Sequence, residues 1–191
     1  MAILVERESL TTKSRHVSPS YVDKDGNQYL TSSDRPFPTV DVNHLRLHEG
    51  RAYYVYRVQD TLAVNANLDI AIAWPSGIFA HALFTFQCGG NSRFYIYENP
   101  TTSGGTALTI HRRNRSLATT STGAAVYNPT VSALGTEIFS EIITSGQGGT
   151  GSGGGGITNE YVLSPLTTYL FRITNTNSQA HITELLIEWY E

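Results

Sequence analysis

The chain is poor in the residues that staple small folds or carry charge chemistry. It has one cysteine, Cys88, in 191 residues, so an internal disulfide framework and a Cys-only zinc site are excluded. Lysine is almost absent: Lys13 and Lys24 are the only two, and neither follows a glycine-rich phosphate loop, which removes a Walker-type nucleotide site. Charged residues make up 15%, well under the usual quarter, and 13 Lys+Arg against 16 Asp+Glu leave a net charge of -3. That balance supplies no positive field for nucleic acid or an anionic membrane, so neither is expected as a partner. No run of about 18 apolar residues occurs, and the opening Met1-Ala-Ile-Leu-Val-Glu-Arg7 lacks the pattern of a signal peptide. The expectation is a soluble product made in the cytoplasm.

What is present is period-two alternation, which a half-buried strand requires because successive side chains point to opposite faces. Leu68, Ile70, Ile72 and Trp74 alternate with Asn67, Asp69, Ala71 and Ala73. Leu185, Ile187 and Trp189 alternate with Glu184 and Glu188, and Tyr169, Phe171 and Ile173 share one face. Phe84 and Phe86 lie together in the run 78–87, and strands are also expected over 51–58, 93–98, 106–111 and 137–144. Turn residues separate them, among them Asn99-Pro100 and Asn128-Pro129. Roughly eight strands at this spacing predict an all-β protein, an antiparallel jelly-roll-like β-sandwich. Residues 39–191 form that domain.

Residues 1–38 are polar and hold too little apolar surface to fold alone; they read as an extended N-terminal arm with one hairpin across Asp23–Tyr29. Residues 114–134 read as irregular, and 145–156 as a flexible Gly-rich loop between strands. Within that loop Gly146-Gln-Gly-Gly-Thr-Gly151 formally matches a dinucleotide fingerprint, but no helix follows to meet a pyrophosphate.

No chemical constellation stands out. His44 and His48 would share one face of a helix at a spacing suited to a metal, yet 40–50 alternates, and in a strand the pair would stand about 13 Å apart. The strand reading disfavours a metal site, and His81 and His111 read as satisfied polar groups in strands. Ser76 sits in a plain Trp74-Pro-Ser-Gly77 turn, and Cys88 reads as a buried, inert thiol. Neither catalytic residue nor cofactor nor metal is expected, so the chain reads as a non-enzyme.

Interface chemistry is better represented. Arg112, Arg113 and Arg115 form the one concentration of positive charge; it reads as a solvated loop or as a contact suited to carboxylates on a partner. The chain holds 11 Tyr, and 11 of its 13 basic residues are Arg, the composition of contact surfaces. Alternation leaves Tyr53 and Val55, Ala71 and Ala73, and Tyr95 and Tyr97 on outward faces, a pattern that predicts a symmetric oligomer, most simply a homotrimer.

Three blocks carry a resemblance: Asp23-Lys-Asp-Gly-Asn-Gln-Tyr29 with Ser32-Ser-Asp-Arg-Pro-Phe-Pro38; Asn43-His-Leu-Arg-Leu-His-Glu-Gly-Arg-Ala-Tyr-Tyr54; and Thr168-Tyr-Leu-Phe-Arg-Ile-Thr-Asn-Thr-Asn177 with Glu188-Trp-Tyr-Glu191. They are similar to small structural proteins of tailed phages, the capsid decoration (cement or auxiliary head) proteins. The resemblance covers about half of the chain and includes no catalytic signature. It implies a jelly-roll body, homotrimers on the outer surface of the virion, and an arm that grips the major capsid protein. A different class stays open: the receptor- or carbohydrate-binding head of a tail fibre or spike, with Trp74, Tyr95 or Tyr97 stacking on sugars.

Overall fold

The computed structural model describes residues 3–8, 15–22, 28–30, 42–144 and 153–191, with side chains at 44–144 and 160–191. The chain forms two compact units, Met1–Val42 and Asn43–Glu191. In the first, β1 (Ile3–Glu8), β2 (Arg15–Val22) and β3 (Gln28–Leu30) make an antiparallel sheet in the order β1-β2-β3. The hairpin expected across Asp23–Tyr29 corresponds to β2 and β3, where Tyr21 pairs with Tyr29; its turn, 23–27, lies outside the described residues. A further strand, β1, pairs with β2, where sequence alone suggested extended chain.

The second unit begins within α1 (Val42–His48), followed by β4 (Ala52–Leu62), β5 (Asn67–Ala73), β6 (Ala80–Cys88), β7 (Ser92–Glu98), β8 (Thr101–Ser103), β9 (Thr106–Leu108) and β10 (His111–Arg112). Then come β11 (Ala124–Tyr127), β12 (Thr130–Ala133), β13 (Thr136–Ile143), β14 (Gly153–Leu163), β15 (Thr168–Asn175) and β16 (His181–Tyr190). Two antiparallel sheets dominate, β10-β4-β16-β6-β14 and β13-β7-β15-β5-β11-β9, with β12 and β8 paired separately. If the eight strands of seven residues or more are numbered along this unit, their order is 1-8-3-6 in one sheet and 2-7-4-5 in the other.

The core lies between these two sheets, as alternation requires. Leu68, Ile70 and Ile72 from β5, with Trp74 just beyond it, meet Leu185, Ile187 and Trp189 from β16, and Phe84, Phe86, Phe94 and Phe171 fill the centre. Phe84 and Phe171 have ring centroids 5.0 Å apart, and Trp74 meets Trp189 edge-on at 5.7 Å. Asn175, fully buried, donates from Nδ2 to the carbonyls of Leu62, Ala63 and Gln179 and so ties two turns to the end of β15. Asn99 and Asn128 adopt left-handed backbone at the two turns that their Asn-Pro pairs mark.

Several expectations are corrected. The alternation over 40–50 does not make a strand of its described part: residues 42–48 are helical and a turn follows, while 40 and 41 lie outside the described residues. A Schellman stop fixes its end, with Arg51 N–H donating to Arg46 O (3.0 Å) and Gly50 N–H to Leu47 O (3.1 Å). Gly50 holds φ +73, and a Cβ there would stand 2.7 Å from both Leu117 and Thr119, so the glycine is a helix stop packed against the 117–119 loop. On β4 the faces are reversed: Tyr53 and Val55 are buried, while Tyr56 and Val58 point outward. Ala71 and Tyr97 are buried as well, in a small cluster on the outer side of the six-stranded sheet with Leu170, against which Tyr95 and Val131 pack.

Residues 106–111 are not one strand. β9 pairs with β11 and β10 with β4, so the chain crosses from one sheet to the other. The irregular region 114–134 contains β11 and β12. Of the Gly-rich stretch 145–156, residues 145–152, which include all of the Gly146–Gly151 match, lie outside the described residues. Gly153–Gly156 belong to β14 and pair with Cys88–Thr85 of β6. A strand edge offers backbone donors and acceptors, and glycine can answer them without a side chain.

Candidate binding face of the five-stranded sheet

Once Tyr53 and Val55 face the core, the alternate residues of β4 face outward, and the register sets their neighbours. Tyr54 is flanked by His111 of β10 and Glu188 of β16, and Tyr56 lies beside Leu186. Tyr190 of β16 lies between Ala52 and His81. The result is an aromatic row: Tyr54 stacks on His111 at 5.2 Å, and Tyr56 lies 6.2 Å from Tyr54 and 6.0 Å from His111. Tyr56 is 49% exposed and Val58 38%, large apolar groups left open to solvent.

The three arginines singled out by sequence line the rim of this face but do different things. Arg112 is spent internally, donating from Nε to Asn114 O at 2.8 Å and from Nη1 to Thr119 O, which pins the 114–119 loop. Arg113 pairs with Glu188 at 2.9 Å. Arg115 is exposed and forms no ion pair among the described residues. All three, with Tyr54, Leu186 and Glu188, surround a shallow depression of about 320 Å³.

Next to it lies a cleft of about 290 Å³ bounded by α1 and the sheet, lined by His44, His81, Arg113, Glu188, Trp189 and Tyr190, among others. His81 stacks on Tyr190 (4.9 Å, planes 13° apart), and both bond to the Glu160 carboxylate, His81 through Nδ1 and Tyr190 through its hydroxyl at 2.5 Å. Sequence reasoning missed this cluster because Glu160 is 79 residues from His81; only the pairing of β14 with β6 joins them. His111 likewise belongs to the aromatic row, where sequence gave it only a satisfied polar role.

Other residues considered from sequence lie apart from this face. Cys88 is buried, and burial pushes its thiol above the ordinary value, although hydrogen bonds with Ser92 and Thr183 oppose the shift. That is the character of an inert thiol. Trp74 is 2% exposed and belongs to the core. Tyr95 and Tyr97 stack at 5.6 Å on the outer side of the other sheet. Among the described residues no group of three His, Cys, Asp or Glu is arranged to hold a metal ion, and no helix is long and apolar enough to cross a membrane.

Comparison with models of known protein families, with curated proteins and with solved structures gives no match.

Proposed function

We propose that this chain is a virion structural protein: a capsid decoration protein that seats as a homotrimer on the outer surface of an assembled tailed-phage head and binds the major capsid protein. The observation that carries this reading is the outward face of the five-stranded sheet, where Tyr56 and Val58 are exposed, Tyr54 is half-buried, and Arg115, which forms no ion pair among the described residues, stands at the rim. Tyr and Arg are the anchors that protein interfaces favour, and an apolar centre with a charged rim is the anatomy of such a contact. The interleaved order of the eight long strands supports reading the sandwich as a jelly roll. A separate N-terminal unit supports a second attachment point. Three copies joined through their bodies would turn weak single contacts into firm binding, and binding only the assembled lattice would favour assembly by mass action. The work is done by covering surface, and no catalytic step is invoked.

The test is sedimentation of the full chain alone and with heads stripped of it. A trimer that co-sediments is expected, and truncating Tyr56→Ala should weaken head binding about 30-fold if Tyr56 is an anchor worth about 2 kcal/mol. Deleting residues 1–38 is expected to leave a trimer that no longer attaches. A monomer that ignores heads overturns the proposal.

A second reading, a glycan-binding head of a fibre or spike, is favoured by one arrangement: the stacked row Tyr54–His111–Tyr56 lies beside the Arg113–Glu188 pair. Aromatic faces with adjacent hydrogen-bonding groups suit sugar rings. Saturable binding on a glycan array, lost in Tyr56→Ala, would select it.

A further inference from the structure

His44 and His48 lie one turn apart on α1, both exposed, with Nε2 atoms 3.0 Å from each other. Their ring centroids are 4.6 Å apart and the planes meet at 69°. Two arrangements bring imidazole nitrogens this close: one N–H donates to the other ring, or both lone pairs converge on a cation. The centroid separation distinguishes a near-linear bond from rings turned toward a common point, a geometry in which any hydrogen bond between them is strongly bent. In a near-linear N–H···N bond of this length, each centroid lies behind its nitrogen on one line, and the centroids would be about 5.3 Å apart. If both nitrogens instead aim at one point about 2.05 Å away, the usual metal–imidazole distance, the angle at that point is about 94° and the centroids fall about 4.7 Å apart. The observed 4.6 Å agrees with convergence.

The platform is already rigid. The Schellman stop locks the last turn, Asn114 Nδ2 donates to His48 O at 3.2 Å, and Thr119 Oγ1 donates to Gly50 O at 2.8 Å. A chelate whose ligands are held before binding loses little freedom when the ion arrives. Of the neighbouring cations, Arg113 across the cleft is paired by Glu188, and Arg46 and Arg51 share Glu49 at 3.5 and 3.9 Å.

We propose that His44 and His48 form a bidentate site for a divalent transition ion that accepts two cis imidazoles near a right angle, Cu²⁺ or Ni²⁺, with water completing its coordination. Tetrahedral zinc would need the nitrogens about 3.4 Å apart, so it fits less well. Among the described residues no third histidine, cysteine or carboxylate joins the pair, which matches the open, tetragonal sites that Cu²⁺ and Ni²⁺ take from nitrogen and oxygen donors. The inference stands on α1 and the contacts that hold it and does not depend on the role in a virion.

The experiment titrates the full chain with Cu²⁺, following heat and the electron paramagnetic resonance spectrum. A spectrum with two equatorial nitrogens is expected. His44→Asn and His48→Asn, checked for folding by circular dichroism, should each lose the two-nitrogen pattern and more than tenfold in affinity. Should either variant fail to fold, the unmutated chain still decides: Ni²⁺ must raise its melting temperature, and more than Zn²⁺ does. Absence of saturable Cu²⁺ binding, or isotherms unchanged in both variants, overturns the site and leaves the pair a hydrogen bond.

Discussion

Asp69 and Arg172 face each other across β5 and β15, where Arg172 Nε and Nη2 donate to the two carboxylate oxygens, each at 2.7 Å. Their side chains are 5% and 15% exposed, so this is a buried bidentate pair on the outer side of the six-stranded sheet. The hydrogen bonds to Asp69 raise the Arg172 guanidinium above its ordinary value. Asp69→Ala removes one partner and leaves a desolvated cation. Breaking a buried pair costs about 3–5 kcal/mol, and the residual exposure of Arg172 places this one near about 3. With an m-value of about 2 kcal/mol/M, the urea midpoint should fall by about 1.5 M. The double variant Asp69→Leu/Arg172→Met, which removes both charges and restores apolar volume, should recover most of the loss. Equilibrium urea unfolding by tryptophan fluorescence reads all three proteins. A cost below about 1 kcal/mol for Asp69→Ala, or a double variant no better than the single, would refute the reasoning.

Three further outcomes are expected. Burial raises the Tyr169 phenol, and its donation to Glu98 Oε1 at 2.7 Å adds to the shift, so its neutral form is favoured in the fold. The contribution is complete below the ordinary value of 10.0 and is lost as pH rises from there through the folded value, because the unfolded chain ionises first. Denaturant midpoints measured across that range should fall, and fall less steeply in Tyr169→Phe. Cys88 should resist a thiol reagent in the native protein and react fully once urea unfolds it, which timed absorbance would follow. Gly50→Ala should cost about 1–2 kcal/mol from the left-handed backbone, and more if Leu117 and Thr119 cannot yield, as thermal unfolding would report.

The sandwich was legible where one parity of a strand is plainly apolar and the other polar. Leu185, Ile187 and Trp189 against Glu184 and Glu188 leave only one way to face the core. On β4 both parities are apolar, Tyr53 and Val55 against Tyr54 and Tyr56, so alternation turned the wrong pair outward; in the fold Arg57 stacks over Tyr127 and Gln59 accepts from its hydroxyl on the Tyr53 and Val55 parity. The helix α1 was hidden because seven residues carry too little periodicity to outweigh a short alternation, and its decisive signal, Gly50, also fits a turn between strands. With the helix hidden, so was the closeness of His44 and His48, which a strand would hold far apart. Gly153–Gly156 pair through the backbone alone, which composition cannot display. The Arg112, Arg113 and Arg115 cluster was visible as a run, but which guanidiniums are engaged within the fold depends on Thr119 and Glu188.

The most direct measurement of the central claim is the number of copies of this chain in native particles that contain it, by quantitative mass spectrometry. Multivalent coverage of a head requires copies on the order of hundreds. A count on the order of ten, as for a protein confined to the tail, would contradict it.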